Sequence, residues 1–174
     1  MTNEKRLLFF AMIALLLLSA GCQRSGEKKL KPSALAAGLF SGQSVQAVER
    51  KLDMMAGSFK VLEDRTPLPS DTRPPYRLLV ISTQNARVDG QGGELVLTFF
   101  DDRLMTAQFY AADLAAARAA VEAKQQLSLA GGDAHIPPST RVWVGKDDSG
   151  RSYIGWIDKG LQAEQDAWIK QYGQ

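Results

Sequence analysis

The stretch that most constrains this chain is Glu94 to Tyr110, where two runs of alternating side chains meet at Asp101-Asp102-Arg103. Leu95, Leu97 and Phe99 share one side of the first run, with Val96, Thr98 and Phe100 on the other. On the return, Met105, Ala107 and Phe109 alternate with Leu104, Thr106, Gln108 and Tyr110. A period of two around a polar corner is the signature of a β-hairpin. A lone hairpin is marginal in water, so one of its faces has to meet a helix.

Helices are legible on both sides of it. Gly42-Gln43-Ser44 offers a hydroxyl cap, and Val45, Val48 and Leu52 follow at i, i+3 and i+7, which predicts a short first helix. Leu35, Leu39 and Phe40 predict a brief turn ahead of it, while Met54, Met55 and Phe59 extend its apolar content past a stop at Gly57. Downstream, Asp113 caps an alanine-rich helix over 113–127, with Leu114, Ala117 and Val121 along a side small enough to approach a sheet closely. A last helix, 161–172, carries Leu161, Gln165, Trp168 and Tyr172 on one stripe.

Further strands fill the intervals. Tyr76 to Ser82 is a dense β-rich run, and Asp89 with Gly90, Gly92 and Gly93 makes a loose turn. Arg141 to Lys146 and Ser152 to Ile157 form a second hairpin around Asp147-Asp148-Ser149-Gly150, on which Trp143 and Trp156 are expected to meet across the strands. Glu63 to Pro75 holds four prolines and reads as an extended loop. The expected fold is α+β in two layers: a short N-terminal helix packed on an antiparallel sheet of hairpins, with the two later helices added. Residues 38–174 are taken as a single domain, Gly131-Gly132 and Pro137-Pro138 marking an alternative sub-boundary near 128–139.

The N-terminal segment speaks about location. Met1 to Arg6 is short and basic, and Leu7 to Leu18 is unbroken apolar sequence. As a helix that run rises about 18 Å, short of the roughly 30 Å of a bilayer's hydrocarbon, and so fits an export signal better than a permanent span. Leu18-Ser19-Ala20-Gly21-Cys22 follows, and it resembles a bacterial lipoprotein signal with its small residues before a cysteine. That resemblance implies that residues 1–21 are removed, that Cys22 is lipidated with diacylglycerol and acyl (palmitate-type) chains, and that Gln23 directs the protein to the outer membrane, facing the periplasm of a Gram-negative cell. Several chains on one residue make a durable anchor, each buried methylene adding about 0.8 kcal/mol. Residues 22–37 then form a lipidated polar tether in which Arg24, Lys28, Lys29 and Lys31 outnumber Glu27.

A second resemblance covers part of the body. Gly42-x-Ser44, Val48 and Leu52, followed by a hairpin ending in Leu97-Thr98-Phe99-Phe100-Asp101-Asp102-Arg103-Leu104, is similar to the SmpA/OmlA (BamE-like) small lipoprotein fold. In that family a Gly-x-Thr or Gly-x-Ser opens the first helix, and Val and Leu face the sheet. Here Asp53-Met54-Met55 stands where the family has Gly-x-Pro. The resemblance implies a two-layer α/β arrangement on an envelope lipoprotein.

Several function classes lose support. With 21 Lys and Arg against 19 Asp and Glu, the chain has too little net charge, +2, to seek nucleic acid. One histidine and one cysteine exclude a multi-Cys/His zinc site and an internal disulfide, and no cofactor or metal is expected. His135 stands in an expected loop without a nucleophile, and Ser41, Ser44 and Ser82 lack a nucleophile-elbow context. Asp101-Asp102 and Asp147-Asp148 suit hairpin corners, and Glu164 and Asp166, two apart on a helix, do not share a face. No catalytic residue is assigned, and the chain is not expected to be an enzyme.

Two readings of function follow. The first is a non-enzymatic, membrane-tethered lipoprotein that binds, stabilises or regulates an envelope protein complex, with the bilayer and an envelope protein as partners. The alternative is a small-ligand or glycan (peptidoglycan) binding module using the aromatics Trp143, Tyr153, Trp156, Trp168 and Tyr172. An open groove lined by Trp143 or Trp156, with amide and carboxylate neighbours, would favour the alternative; a flat apolar patch at a free strand edge would favour the first.

Overall fold

Two-residue hairpin turns of type I′ need both central residues at positive φ, and Asp, Asn and Gly tolerate that conformation best. In a computed structural model describing residues 31–52, 59–67, 70–74 and 76–173, two such turns organise the sheet. Asp89 and Gly90 (φ 48° and 85°) join β2 (Leu78–Val88) to β3 (Gln91–Phe100). Asp101 and Asp102 (φ 48° and 58°) join β3 to β4 (Arg103–Ala111). The turn expected across Asp89 to Gly93 is thus confined to two residues, and Gly92 and Gly93 belong to β3.

All seven strands pair antiparallel in one sheet of order β1-β2-β3-β4-β7-β6-β5. The second hairpin, β6 (Thr140–Lys146) and β7 (Ser152–Asp158), joins the first through β4 and β7, where Phe109 faces Ile154 and Ala107 faces Trp156. Two strands depart from the sequence reading. β1 (Lys60–Arg65) runs into the stretch read as loop, which it enters at Glu63, and β5 (Asp133–Ile136) holds His135, read as a loop residue. Both are edge strands, whose hydrogen bonds come from a neighbour on one side only. Neither needs the apolar alternation that makes a strand legible.

One face of the sheet carries the main core. Leu79, Ile81, Leu95, Leu97, Phe99, Ala107, Phe109, Val142, Ile154 and Trp156 are buried there beneath the helices. α1 (Val45–Lys51), capped by Ser44 Oγ accepting from the Ala47 N–H, contributes Val48. α2 (Leu114–Gln125), capped by Asp113, contributes Ala117 and Val121, the small-residue side anticipated from sequence. The architecture is therefore two-layer α+β, a helical layer on an antiparallel sheet. α3 (Lys159–Tyr172) covers one end of the opposite face, where Leu161 packs with Phe100, Met105 and Ile157.

Lys31–Gln174 is one compact unit, and its sheet runs on through the 128–139 segment. Residues 33–37, read above as the end of the tether, belong to this body. Leu35 and Ala36 are buried, the Ser33 N–H donates to Ser41 Oγ (2.8 Å), and Thr140 Oγ1 donates to the Ala34 carbonyl (2.8 Å). The apolar Leu35 and Leu39 draw this segment under the sheet. Residues 1–30, including Cys22, and Met54, Met55 and Gly57 lie outside the described residues.

Candidate functional site

The site is a groove on the sheet face opposite the main core, at the end where β2 and β4 finish and β3 begins. It exists because one strand position lacks a side chain. Gly92 pairs with Arg87, and a Cβ built at Gly92 would meet nothing within 4 Å, so the floor there is bare backbone. Its neighbour Gly93 points the other way and is a glycine for a different reason. A Cβ there would lie 2.3 Å from the Tyr110 carbonyl oxygen and 2.8 Å from the Phe109 ring.

One wall comes from an irregularity in β2. Its pairing with β3 shifts between Thr83 and Ala86, and Asn85 adopts φ 60°. Such a bulge re-aims side chains out of the strict alternation, and here it brings the amides of Gln84 and Asn85 to the groove beside Arg87. The other wall is Tyr110 with Arg151. The cavity measures about 610 Å³, within the usual range for small-ligand sites.

Arg151 is held from three directions. Its Nε donates to Asp147 Oδ2 (2.9 Å), its Nη1 donates to Glu94 Oε2 (3.1 Å), and its guanidinium stands over the Tyr110 ring at 4.3 Å. Asp147 in turn accepts from the Ser149 hydroxyl (2.7 Å) and from the Ser149 and Arg151 N–H groups (3.0 and 2.9 Å). The Ser149 hydroxyl, then the backbone and side chain of Arg151, bring the Asp147 carboxyl down to about 2. Burial, and next the Asp147 charge, push the Tyr110 phenol up, so it stays a neutral donor and acceptor at neutral pH. The Asp147-Asp148-Ser149-Gly150 corner is thus an arginine-fixing turn.

The sequence-nominated aromatics separate into three places. Tyr153 and Trp143 lie beside the groove without lining it: Tyr153 is buried with its ring centroid 5.4 Å from that of Tyr110, and Trp143 meets Tyr153 edge-on at 6.1 Å. Trp143 is half-buried and lies on Gly155, its cross-strand partner, where a Cβ would approach the indole to 2.5 Å. Trp156 is fully buried in the main core, its Nε1 donating to Gln125 Oε1 (3.2 Å). It pairs with Val142, so the two tryptophans occupy opposite faces and do not meet. Trp168 and Tyr172 fasten the 70–77 segment to α3: Trp168 stacks on Tyr76 at 4.3 Å and donates to the Pro74 carbonyl (3.2 Å), and Arg73 donates to the Tyr172 carbonyl (3.0 Å).

The remaining nominees have structural partners or none. Ser41 donates to the buried Asp158 (2.5 Å), which caps α3 by accepting from the Gly160 and Leu161 N–H groups. His135 is exposed on β5. Among the described residues no group of His, Cys, Asp and Glu could hold a metal ion, and no helix is long and apolar enough to cross a membrane. Sequence reasoning did not find Gln84, Asn85, Arg87, Gly92 and Tyr110 as a set. Asparagine inside a β-run and paired glycines entering a strand were the available signals. Comparison with family models, with curated proteins and with solved structures gave no match.

Proposed function

We propose that this protein is a non-enzymatic binding module whose groove takes a glycan. The observation that carries the reading is the composition of the groove itself. It joins three side-chain amides, two arginines, two carboxylates, a bare backbone floor and a tyrosine ring in a cavity of about 610 Å³. Amides and guanidinium serve hydroxyl and acetamido groups, while an aromatic wall receives the apolar face of a sugar ring. Beside the groove, buried Tyr153 and half-buried Trp143 continue the aromatic row from Tyr110 across β7 and β6, over about 10 Å at ordinary strand spacing.

Lipidation of Cys22 is part of the same proposal. An outer-membrane anchor facing the periplasm would hold the groove close to the cell-wall glycan and raise its effective concentration there. The lipobox-like Ser19-Ala20-Gly21-Cys22 and the partial likeness to the SmpA/OmlA (BamE-like) fold support this envelope placement. The test is calorimetric titration of the full-length protein in detergent micelles with soluble peptidoglycan fragments and with N-acetylglucosamine oligomers. Saturable binding that falls at least tenfold in Tyr110→Ala is expected; no heat with any saccharide would sink the reading.

One observation favours a protein partner as a second reading. β1 is an edge strand, and Val61 and Leu62 are 52% and 47% exposed on it. Added strands dock on such edges. Against it, the β1 pairing shifts between Val61 and Glu63, and Lys60, Asp64 and Arg65 are exposed, all features that discourage edge pairing. Crosslinking from a photoreactive residue at position 62 in intact cells would trap an envelope protein if this edge binds one.

A further inference from the structure

The charges that line the groove are unequally committed. Arg151 is already balanced by Asp147 and Glu94, at 2.9 and 3.1 Å. Asp113 faces the same groove, and its Oδ1 accepts from the Ala116 N–H (3.0 Å) to cap α2. Arg87 alone among these four groove charges has neither an ion pair nor a hydrogen bond to its side chain among the described residues. It projects beside Gly92, where no side chain of β3 stands in the way.

From this we infer that the ligand is an acidic glycan, its carboxylate seated on Arg87 above Gly92 and its ring against Tyr110; the inference rests on the groove being a glycan site. A neutral sugar covering Arg87 would strip water from a cation with five donors and return only weak partners. A carboxylate matches the planar guanidinium in a two-bonded, charge-assisted pair. The acidic neighbours are engaged elsewhere: Glu94 and Asp147 share the one guanidinium of Arg151, a cluster that keeps a single net negative charge, and Asp113 caps α2, so that none of the three bonds to Arg87. Arg87 is thereby the residue that sets the sign of the ligand, and Tyr110 with the Gln84 and Asn85 amides sets its sugar character.

The experiment compares matched ligands that differ only in charge. Peptidoglycan glycan strands stripped of their peptides, and oligogalacturonate, are each titrated beside the same material with its carboxylates converted to methyl amides. The full-length protein in micelles is used, as wild type, Arg87→Gln and Arg50→Gln. Arg50 is exposed on α1, whose buried side packs into the core on the other side of the sheet. The inference expects at least one acidic strand to bind, its amide to bind at least tenfold more weakly, and Arg87→Gln to lose the difference while Arg50→Gln keeps it. Equal affinity for acid and amide overturns the acidic assignment and leaves the glycan groove standing. Absence of binding to either acid and either amide overturns both.

Discussion

The guanidinium of Arg151 stands 4.3 Å from the centre of the Tyr110 ring, although the two residues come from different hairpins. Only the β4–β7 pairing brings them together, and the groove wall is the product of that junction. Replacing Arg151 with alanine removes the cation from the ring and releases Asp147 and Glu94 at once. The expected result is chemical-shift change at Tyr110, Ser149 and Glu94 with the fold retained, read by two-dimensional NMR.

Gly92 separates binding from folding. A leucine at Gly92 points into space with nothing within 4 Å of its Cβ, so stability should change by less than about 0.5 kcal/mol while ligand binding is abolished by the filled floor. Gly93→Ala, one residue on, should cost about 1–3 kcal/mol, because its Cβ would press on the Tyr110 carbonyl and the Phe109 ring. Urea unfolding beside calorimetry checks both.

Trp156→Ala should destabilise the protein by about 3–5 kcal/mol, the range for emptying a fully buried aromatic site. Trp143→Ala, at a half-buried position on the outer face, should cost clearly less. Equal losses in chemical denaturation would contradict the assignment of the two indoles to opposite faces.

Asp158→Ala removes the cap of α3 and leaves the buried Ser41 hydroxyl without its acceptor. A loss of about 2 kcal/mol is expected. Hydrogen exchange at the Gly160 and Leu161 amides should rise with it, and unchanged protection there would argue against the capping role.

The Asp147 carboxyl sits at about 2 in the folded protein, below its ordinary value of 3.8. A depressed carboxyl contributes stability that is fully present above the ordinary value and is lost as pH falls through the folded one. The arginine-fixing turn should therefore stay intact above about pH 4 and loosen between about pH 4 and 2. The Ser149 and Arg151 amide resonances, followed by NMR through that window, should titrate together with Asp147; movement centred near the ordinary carboxylate value would contradict the bonded turn.

The order of residues alone specified the elements that bury their own side chains. The Leu95-Leu97-Phe99 alternation, the Ser44 and Asp113 caps and the Ala117–Val121 stripe each carry a period or a cap chemistry that water enforces locally. It also nominated Trp143 and Tyr153, which lie beside the groove without lining it, together with Trp156, Trp168 and Tyr172, which are engaged elsewhere. Tertiary structure decided the rest. Trp143 and Trp156 sit on paired strands, and only the register that sets Val142 opposite Trp156 sends one indole into the core and the other onto Gly155. The edge strands β1 and β5 take their hydrogen bonds from neighbours and so left no pattern of their own. The groove needs a bulge in β2, a missing side chain on β3, a ring on β4 and an arginine beyond β6, and no local rule links residues so far apart along the chain.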